Sequence, residues 1–330
     1  MYASASIRDD IRYGYAVGRV RVLDGRLLSR GTFERLLDAP DLREQKRVLA
    51  DTHVGRYLEG VESANDVERA LDASLGDLYD DFLDSAGLPT AVVEYFRIPN
   101  DYANLRVTLK ARALGRTAAG TLSALGSVPP EAFTGDGTAL PKTLRDVLTQ
   151  WDGDDDAPAA DDVEVAVDRA LFSALAAAAR ASKVRLLTDL TELRINLANA
   201  RLLIRSRAKS LTPAEVLSRL IPDGSRALEA LAATAPRMSA EELATAIART
   251  RAVVGMSEED LADIERFDVA ADTLVAGRME GARRAPGGAE PVLAYVLRRE
   301  AEVLLLRTAV AGRLSGLDRE IIRARVKERI

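Results

Sequence analysis

Apolar side chains recur every three or four positions between residues 66 and 86, at Val67, Leu71, Leu75, Leu78 and Phe82. A helix turns once in about 3.6 residues, so this spacing predicts a single apolar stripe on one helical face. Val163, Val167, Leu171, Leu175 and Ala178 draw the same stripe about one hundred residues later. Gly87 and Pro89 in "SAGLP" predict the end of the first helix. Pro99 with Asn100-Asp101 predicts the start of another, which carries Tyr102, Leu105 and Leu109 and stops at Gly115. Between Gly126 and Asp162 the pattern lapses into Pro, Gly and Asp, which predicts loops around one short helix, Lys142 to Gln150. Thr212 is placed to cap a helix with Pro213 at its first position. The last break is "APGGAEP", residues 285 to 291, and the pattern resumes at Val292.

The stripes belong to a longer repeat. Asp66-Val67-Glu68-Arg69 recurs as Asp162-Val163-Glu164-Val165 and as Asp263-Ile264-Glu265-Arg266, at intervals of 96 and 101 residues. A second marker follows each at nearly fixed distance: Tyr102-Ala103-Asn104-Leu105-Arg106 after 36 residues, Leu197-Ala198-Asn199-Ala200-Arg201 after 35, and Glu300-Ala301-Glu302-Val303-Leu304 after 37. Two markers that hold their spacing predict a triplication, and a period of about one hundred residues exceeds that of a solenoid. It predicts three small helical domains, residues 1–117, 118–210 and 211–330.

Within this repeat a basic helix is written twice. Arg106 aligns with Arg201, Lys110 with Arg205 and Arg112 with Arg207, at a shift of 95. The third copy, in the register of its markers, carries Leu304, Thr308 and Val310 at those positions. Arg106 and Lys110 share a helical face and have no acid four residues away inside the helix. Acids on neighbouring helices, water or a partner must answer them, and these six cations are the candidate partner-binding residues.

Composition narrows the chemistry. Ala, Leu, Arg and Glu are abundant and aromatic residues make up 5% of the chain, which favours helices throughout and an all-α class. The 46 basic and 51 acidic side chains leave a net charge of −5, too balanced for nucleic acid or an anionic lipid surface as the main partner. No cysteine is present, so thiolate catalysis, disulfides and cysteine-ligated metals are excluded, and the cytoplasm is the expected compartment. No apolar run approaches the roughly 20 residues a bilayer requires. The richest stretch, Ala289 to Leu306, is broken by Arg298, Arg299, Glu300 and Glu302.

Motifs that would carry catalysis fail on inspection. His53 is the single histidine and is expected at a turn without a catalytic role, since no nucleophile motif accompanies it. "GDGTALPKT", Gly135 to Thr143, places Pro141 where a phosphate loop needs glycine. "DGDDDAPAADDVE" offers Asp152, Asp154 and Asp156 as calcium ligands but has Ala157 at the sixth position and Val163 at the twelfth, so a solvated acidic loop is expected there. No cofactor is expected.

Three segments carry a family resemblance. "YGYAVGRVRVLDGRLLSRGTFERLL" has Tyr13 and Tyr15, then Arg19 and Arg21, then Leu27-Leu28 before a helix. "RIPNDYANLRVTLKARALG" leads from Asn100-Asp101 through Asn104-Leu105 to Gly115, and "PVLAYVLRREAEVLLLR" carries Leu293, Tyr295, Glu300 and Arg307. Together they resemble the C subunit of the V-type (A-type) rotary ATPases, the counterpart of the eukaryotic d subunit, over about residues 13 to 325. The resemblance implies an all-α funnel of three similar helical domains around a pseudo-threefold axis. It implies a non-catalytic rotor component that links the central-stalk D and F subunits to the proteolipid rotor ring, on the cytoplasmic side of the plasma membrane. It implies neither nucleic acid nor a small-molecule substrate. The alternatives are a free-standing triplicated adaptor for partner helices, and an enzyme using only carboxylates and arginines, with Asp66, Asp162 and Asp263 as the carboxylates to test.

Overall fold

The computed structural model describes residues 7–84, 88–151 and 160–327, and every regular element among them is a helix. In chain order these begin with α1 (Ile7–Asp24), α2 (Arg30–Asp38), α3 (Leu42–Leu49), α4 (Ala64–Tyr79) and α5 (Thr90–Ala113). The middle of the chain adds α6 (Glu131–Thr134), α7 (Lys142–Leu148), α8 (Ala160–Ser182), α9 (Arg185–Ala208), α10 (Pro213–Arg219) and α11 (Arg226–Leu231). The series closes with α12 (Ala240–Thr250), α13 (Glu258–Ala262), α14 (Ile264–Arg283), α15 (Glu290–Leu306), α16 (Gly312–Leu314) and α17 (Arg319–Lys327). Gly87 and the acidic loop with Asp152, Asp154 and Asp156 lie outside the described residues.

The chain divides into two units by packing rather than by order. Met1–Leu88 and Ala276–Ile330 form one unit, and Pro89–Val275 the other. In the first unit α1 packs on α15, and α15 with the π turn Arg307–Ala311 that follows it packs on α4. The predicted stripe is the packed face: Val67, Leu71, Leu75, Leu78 and Phe82 are all buried. In the second unit α5 packs along α8, and Tyr102, Leu105 and Leu109 meet Val163 and Val167 in one cluster with Phe133, Leu144 and Leu148. A second cluster joins Leu197, Ala200 and Leu203 of α9 to Val216, Leu243, Ile247 and Phe267. Each fully buried Leu or Phe here is worth about 1.5–3 kcal/mol of transfer free energy, so these stripes drive the packing.

The helix starts explain the recurring tetrapeptide and correct its third register. Asp66 is the third residue of α4, where it closes a capping box with Ser63. Asp162 is likewise the third residue of α8. Asp263 instead precedes α14 and accepts from the backbone N–H groups of Glu265 and Arg266 at 2.9 Å. The third copy is therefore offset by three residues from its apparent match, with helix starts at Ala64, Ala160 and Ile264. Thr212 and Glu215 form the capping box expected at α10, with Pro213 at its first position. The helix expected to begin near Asn100 begins ten residues earlier, at Thr90, and runs through Pro99. Proline removes one backbone donor there; the amide of Asn100 donates to the Phe96 carbonyl at 3.4 Å, and buried Tyr95 and Phe96 anchor the added turns.

Buried polar side chains on these helices hold the following loop by its backbone. Asn104 accepts from Ser123 N and donates to Ser123 O, both at 2.8 Å. Asn199, 95 residues on, does the same to Ile221, at 2.8 and 2.9 Å. One turn earlier, Asp101 accepts from the backbone N–H groups of Ser127 and Val128, and Asn196 accepts from Ser225 N. The loop comes so close that a Cβ on Gly126 would lie 2.0 Å from the Asp101 carboxylate, and one on Gly224 would lie 2.9 Å from the Asn199 amide. Asn104→Ala removes both hydrogen bonds to the half-buried Ser123 backbone and is expected to lower stability by about 1–3 kcal/mol. Urea unfolding of Asn104→Ala and Asn199→Ala measures it, and the two losses should agree to within about 1 kcal/mol if the two clamps are equivalent.

Candidate functional site: the basic helices and their acidic partners

Four of the six candidate cations are answered from within the unit that holds them. Arg106 on α5 approaches Glu164 and Asp168 on α8, with its Nε 2.7 Å from Glu164 Oε2. Lys110, one turn on, pairs with the same Glu164. These contacts run antiparallel, so the later residue on α5 meets the earlier one on α8. Arg112 donates to the carbonyl of Gly135 at 2.8 Å, just past α6. Arg201 on α9 pairs with Asp268 on α14 at 2.7 Å and lies over the Phe267 ring, 5.9 Å from its centroid. Arg205 is exposed and has no ion pair among the described residues. Arg207 lies near enough to Glu241 to help hold that carboxyl below its usual range, behind hydrogen bonds from Glu241's own backbone N–H and the Ser239 hydroxyl.

The third copy has the same arrangement, three residues later than its markers suggest. Arg307, not Leu304, is the counterpart of Arg106 and Arg201: it pairs with Asp72 and, at 2.9 Å, with Glu68 on α4. Arg313 is the counterpart of Arg112 and donates to the carbonyls of Ala39, at 2.6 Å, and Pro40, just past α2. Ala311 then stands where Lys110 and Arg205 stand. The third copy thus lacks one of the three cations rather than all three. The markers point to Leu304, Thr308 and Val310 because the connection between the second and third copies is longer, with 106 residues from Arg201 to Arg307 against 95 from Arg106 to Arg201.

Each junction therefore joins a basic helix of one copy to an acidic helix of the next: α5 to α8, α9 to α14, and α15 with its turn to α4. The pairs are half-buried, and burial weighs against them. Burial raises the carboxyls of Asp168 and Glu68 above their usual range, outweighing the opposing pull of Arg106 and Arg307; the adjacent acids Glu164 and Asp72 add to the rise. The Nε groups of Arg106, Arg201 and Arg307 are buried without an aligned hydrogen bond. Such pairs contribute little net stability and act mainly by choosing a partner.

His53 is more deeply embedded than a surface turn residue. Its Nε2 lies 2.9 Å from Glu302 Oε2, and its Nδ1 meets the Arg26 carbonyl at 3.2 Å. Glu302 is buried, pairs with buried Arg299 and accepts from Leu28 N. It occupies the position of Asp101 and Asn196, five residues before the junction arginine. Burial would raise its carboxyl, but the hydrogen bond from His53 and the Arg299 charge overcome this and hold it below the usual range. The clasp residues were missed as a group, although the spacing of Asp101 with Asn104 and of Asn196 with Asn199 inside apolar stripes was a readable signal. Among the described residues no cluster of three metal-ligating side chains occurs, and no helix is long and apolar enough to cross a membrane.

By fold and by site this is an all-helical scaffold in which arginines of α5, α9 and the turn after α15 pair with carboxylates of α8, α14 and α4. Residues 16–325 match the family model of the ATP synthase (C/AC39) subunit, and the chain belongs to that family. It is 30% identical to the A-type ATP synthase C subunit of Thermococcus kodakarensis, an alignment covering 96% of this chain and 90% of the relative. The A-type ATP synthase C subunits of Thermococcus onnurineus and Methanocaldococcus jannaschii are 25% and 23% identical, each over 94% of this chain and over 89% and 85% of the relative.

Glu302→Ala strands the buried Arg299 and is expected to cost about 3–5 kcal/mol in denaturant unfolding, whereas Arg299→Met with Glu302→Leu costs far less. Because Glu302 is held low in the folded chain, its ionised form stabilises the fold above the unfolded carboxyl's value of about 4.3. That contribution disappears as the pH falls through the lower folded value. The stability difference between the natural chain and Glu302→Gln is therefore expected to shrink only below about pH 4.

Proposed function

We propose that the chain is the non-catalytic rotor component of an A-type (V-type) ATPase, joining the central-stalk D and F subunits to the proteolipid ring and carrying torque between them. The observation that supports this best is the order of the junction pairs: copy one meets copy two, copy two meets copy three, and Arg307 of copy three meets Glu68 and Asp72 of copy one. A pairing order that closes on itself suits three repeat domains, residues 1–117, 118–210 and 211–330, arranged as a funnel around a pseudo-threefold axis. A coupler needs stiff packed helices and charged contact surfaces rather than a nucleophile or a metal. In this reading Arg106, Lys110 and Arg201 fix the junctions. Arg112, Arg205 and Arg207, at the ends of their helices, meet the ring or the stalk. The site of action is the cytoplasmic side of the plasma membrane, held there through the complex.

The test is co-sedimentation with membrane vesicles that retain the ATPase. The chain is expected in the membrane fraction together with other ATPase subunits, and to be released by salt. Finding it wholly soluble in cells with an intact complex would sink the proposal. Arg205→Glu combined with Arg112→Glu is expected to reduce retention about tenfold, with an unchanged circular dichroism spectrum. Unchanged retention would mean that neither cation meets another subunit.

A further inference from the structure

An open cleft of about 960 Å³ runs along one flank of α4, within the unit that holds both chain ends. One side is made by α3 and the turn after it, the other by α4, and Arg299 reaches its floor. Most charges around it are already matched. Asp77 is held by Arg56 at 2.8 Å, Asp81 by Arg19, and Glu44 stands 3.6 Å from Arg47. Arg26 and Arg43 are exposed and have no ion pair among the described residues, and Lys46 donates only to the Val61 carbonyl, at 3.1 Å. Glu59 is the one lining carboxylate left to oppose these three cations.

The corresponding flank of α8 bears a cleft of about 670 Å³, where Ala170 and Ser173 take the places of Ser74 and Asp77. There Arg169 and Arg219 are balanced by Asp162 and Glu215, so the surplus is particular to the first cleft. Low-dielectric walls focus such a surplus on whatever enters. Half-buried Leu23 and Tyr57 also line the α4 cleft, and an amphipathic segment would cover them where a small anion would not.

We propose that this cleft receives an acidic, amphipathic segment of a neighbouring polypeptide, its carboxylates on Arg26 and Arg43 and an apolar side chain against Leu23 and Tyr57. The proposal rests on the reading of the chain as a component of a larger assembly. Since the chain has no cysteine, Glu59→Cys places a single thiol at the mouth and keeps all three cations. The variant is labelled with a benzophenone maleimide and irradiated in the purified, membrane-derived complex. The expected result is a cross-link to one other subunit, on a peptide carrying at least two acidic residues. Adding Arg26→Glu and Arg43→Glu should lower the yield about tenfold while co-purification persists. Co-purification without a cross-link, a cross-linked peptide without acids, or a yield indifferent to charge reversal would each overturn the cleft's role alone. Failure to co-purify with any ATPase subunit would overturn the assembly reading as well. Tight binding of inorganic pyrophosphate to the isolated chain, at about 0.1 mM or below and lost on the same charge reversal, would make the cleft a phosphoanion site and overturn the peptide proposal.

Discussion

A junction arginine facing carboxylates on the next copy is the constraint on which the rest of the architecture depends. The apolar stripes alone cannot choose a partner: Val67 with Leu71, Val163 with Val167, and Phe267 with Ala271 present nearly interchangeable buried faces. Hydrophobic attraction is non-directional, so three similar acidic helices would accept any of the three basic ones. Arg106 against Glu164 and Asp168, Arg201 against Asp268, and Arg307 against Glu68 and Asp72 supply direction and register. Burial raises Asp168 and Glu68 despite their partners, so these contacts add little net stability to that of the apolar stripes.

The clasps complete what the junctions begin. Asp101 and Asn104 secure the segment that follows α5, and Asn196 with Asn199 secures the one after α9. At α15 and the turn after it, residues around α2 and α3 make the corresponding contacts. Leu28 N bonds to Glu302, the Gln45 amide donates to the Ala309 carbonyl at 3.3 Å, and Arg313 holds the carbonyls after α2. Closing these contacts joins residues more than 260 positions apart, and the entropy of closing such long loops grows only slowly with their length. This clasp also adds a buried ion pair, Arg299 with Glu302, and His53, where Ile98 and Leu193 stand beside Asp101 and Asn196.

Periodicity made the long helices legible, because burial on one face leaves a stripe that survives divergence. It also matched Arg106 with Arg201, each of which meets a carboxylate on a later helix. It failed where capping chemistry imitates repetition. Asp-Ile-Glu-Arg at 263 resembles Asp-Val-Glu-Arg at 66, yet the first aspartate caps its helix from outside and the second sits inside the first turn. A three-residue slip then hid Arg307 and Arg313. Pro99 misled for a different reason: tertiary burial of Tyr95 and Phe96 carries the helix through a residue that usually starts or ends one. The ion-pair partners of these cations were not readable at all, since they lie on helices 54 (Lys110 to Glu164) to 239 (Glu68 to Arg307) positions away.

The distribution of shifted carboxyls follows from the same economy of roles. Asp66, Glu215, Glu241 and Asp260 are all held below their usual range by hydrogen bonds at helix starts, from Ser63, Thr212, Ser239 and Ser257 with neighbouring backbone N–H groups. Glu280 falls to about 2 between Arg283 and Arg284. In an active site, shifted groups converge on a cleft so that one can give a proton and another take it. Here the lowered carboxyls are spread over several helix starts and, at Glu280 and Glu302, later helical turns, each answered locally, while the raised pair Asp168 and Glu68 lies in separate units against separate arginines. Charge in this chain marks where helices start and pairs α5 with α8, α9 with α14 and the turn after α15 with α4, while the α4 cleft gathers Arg26, Arg43 and Lys46 around one unmatched lining carboxylate, Glu59.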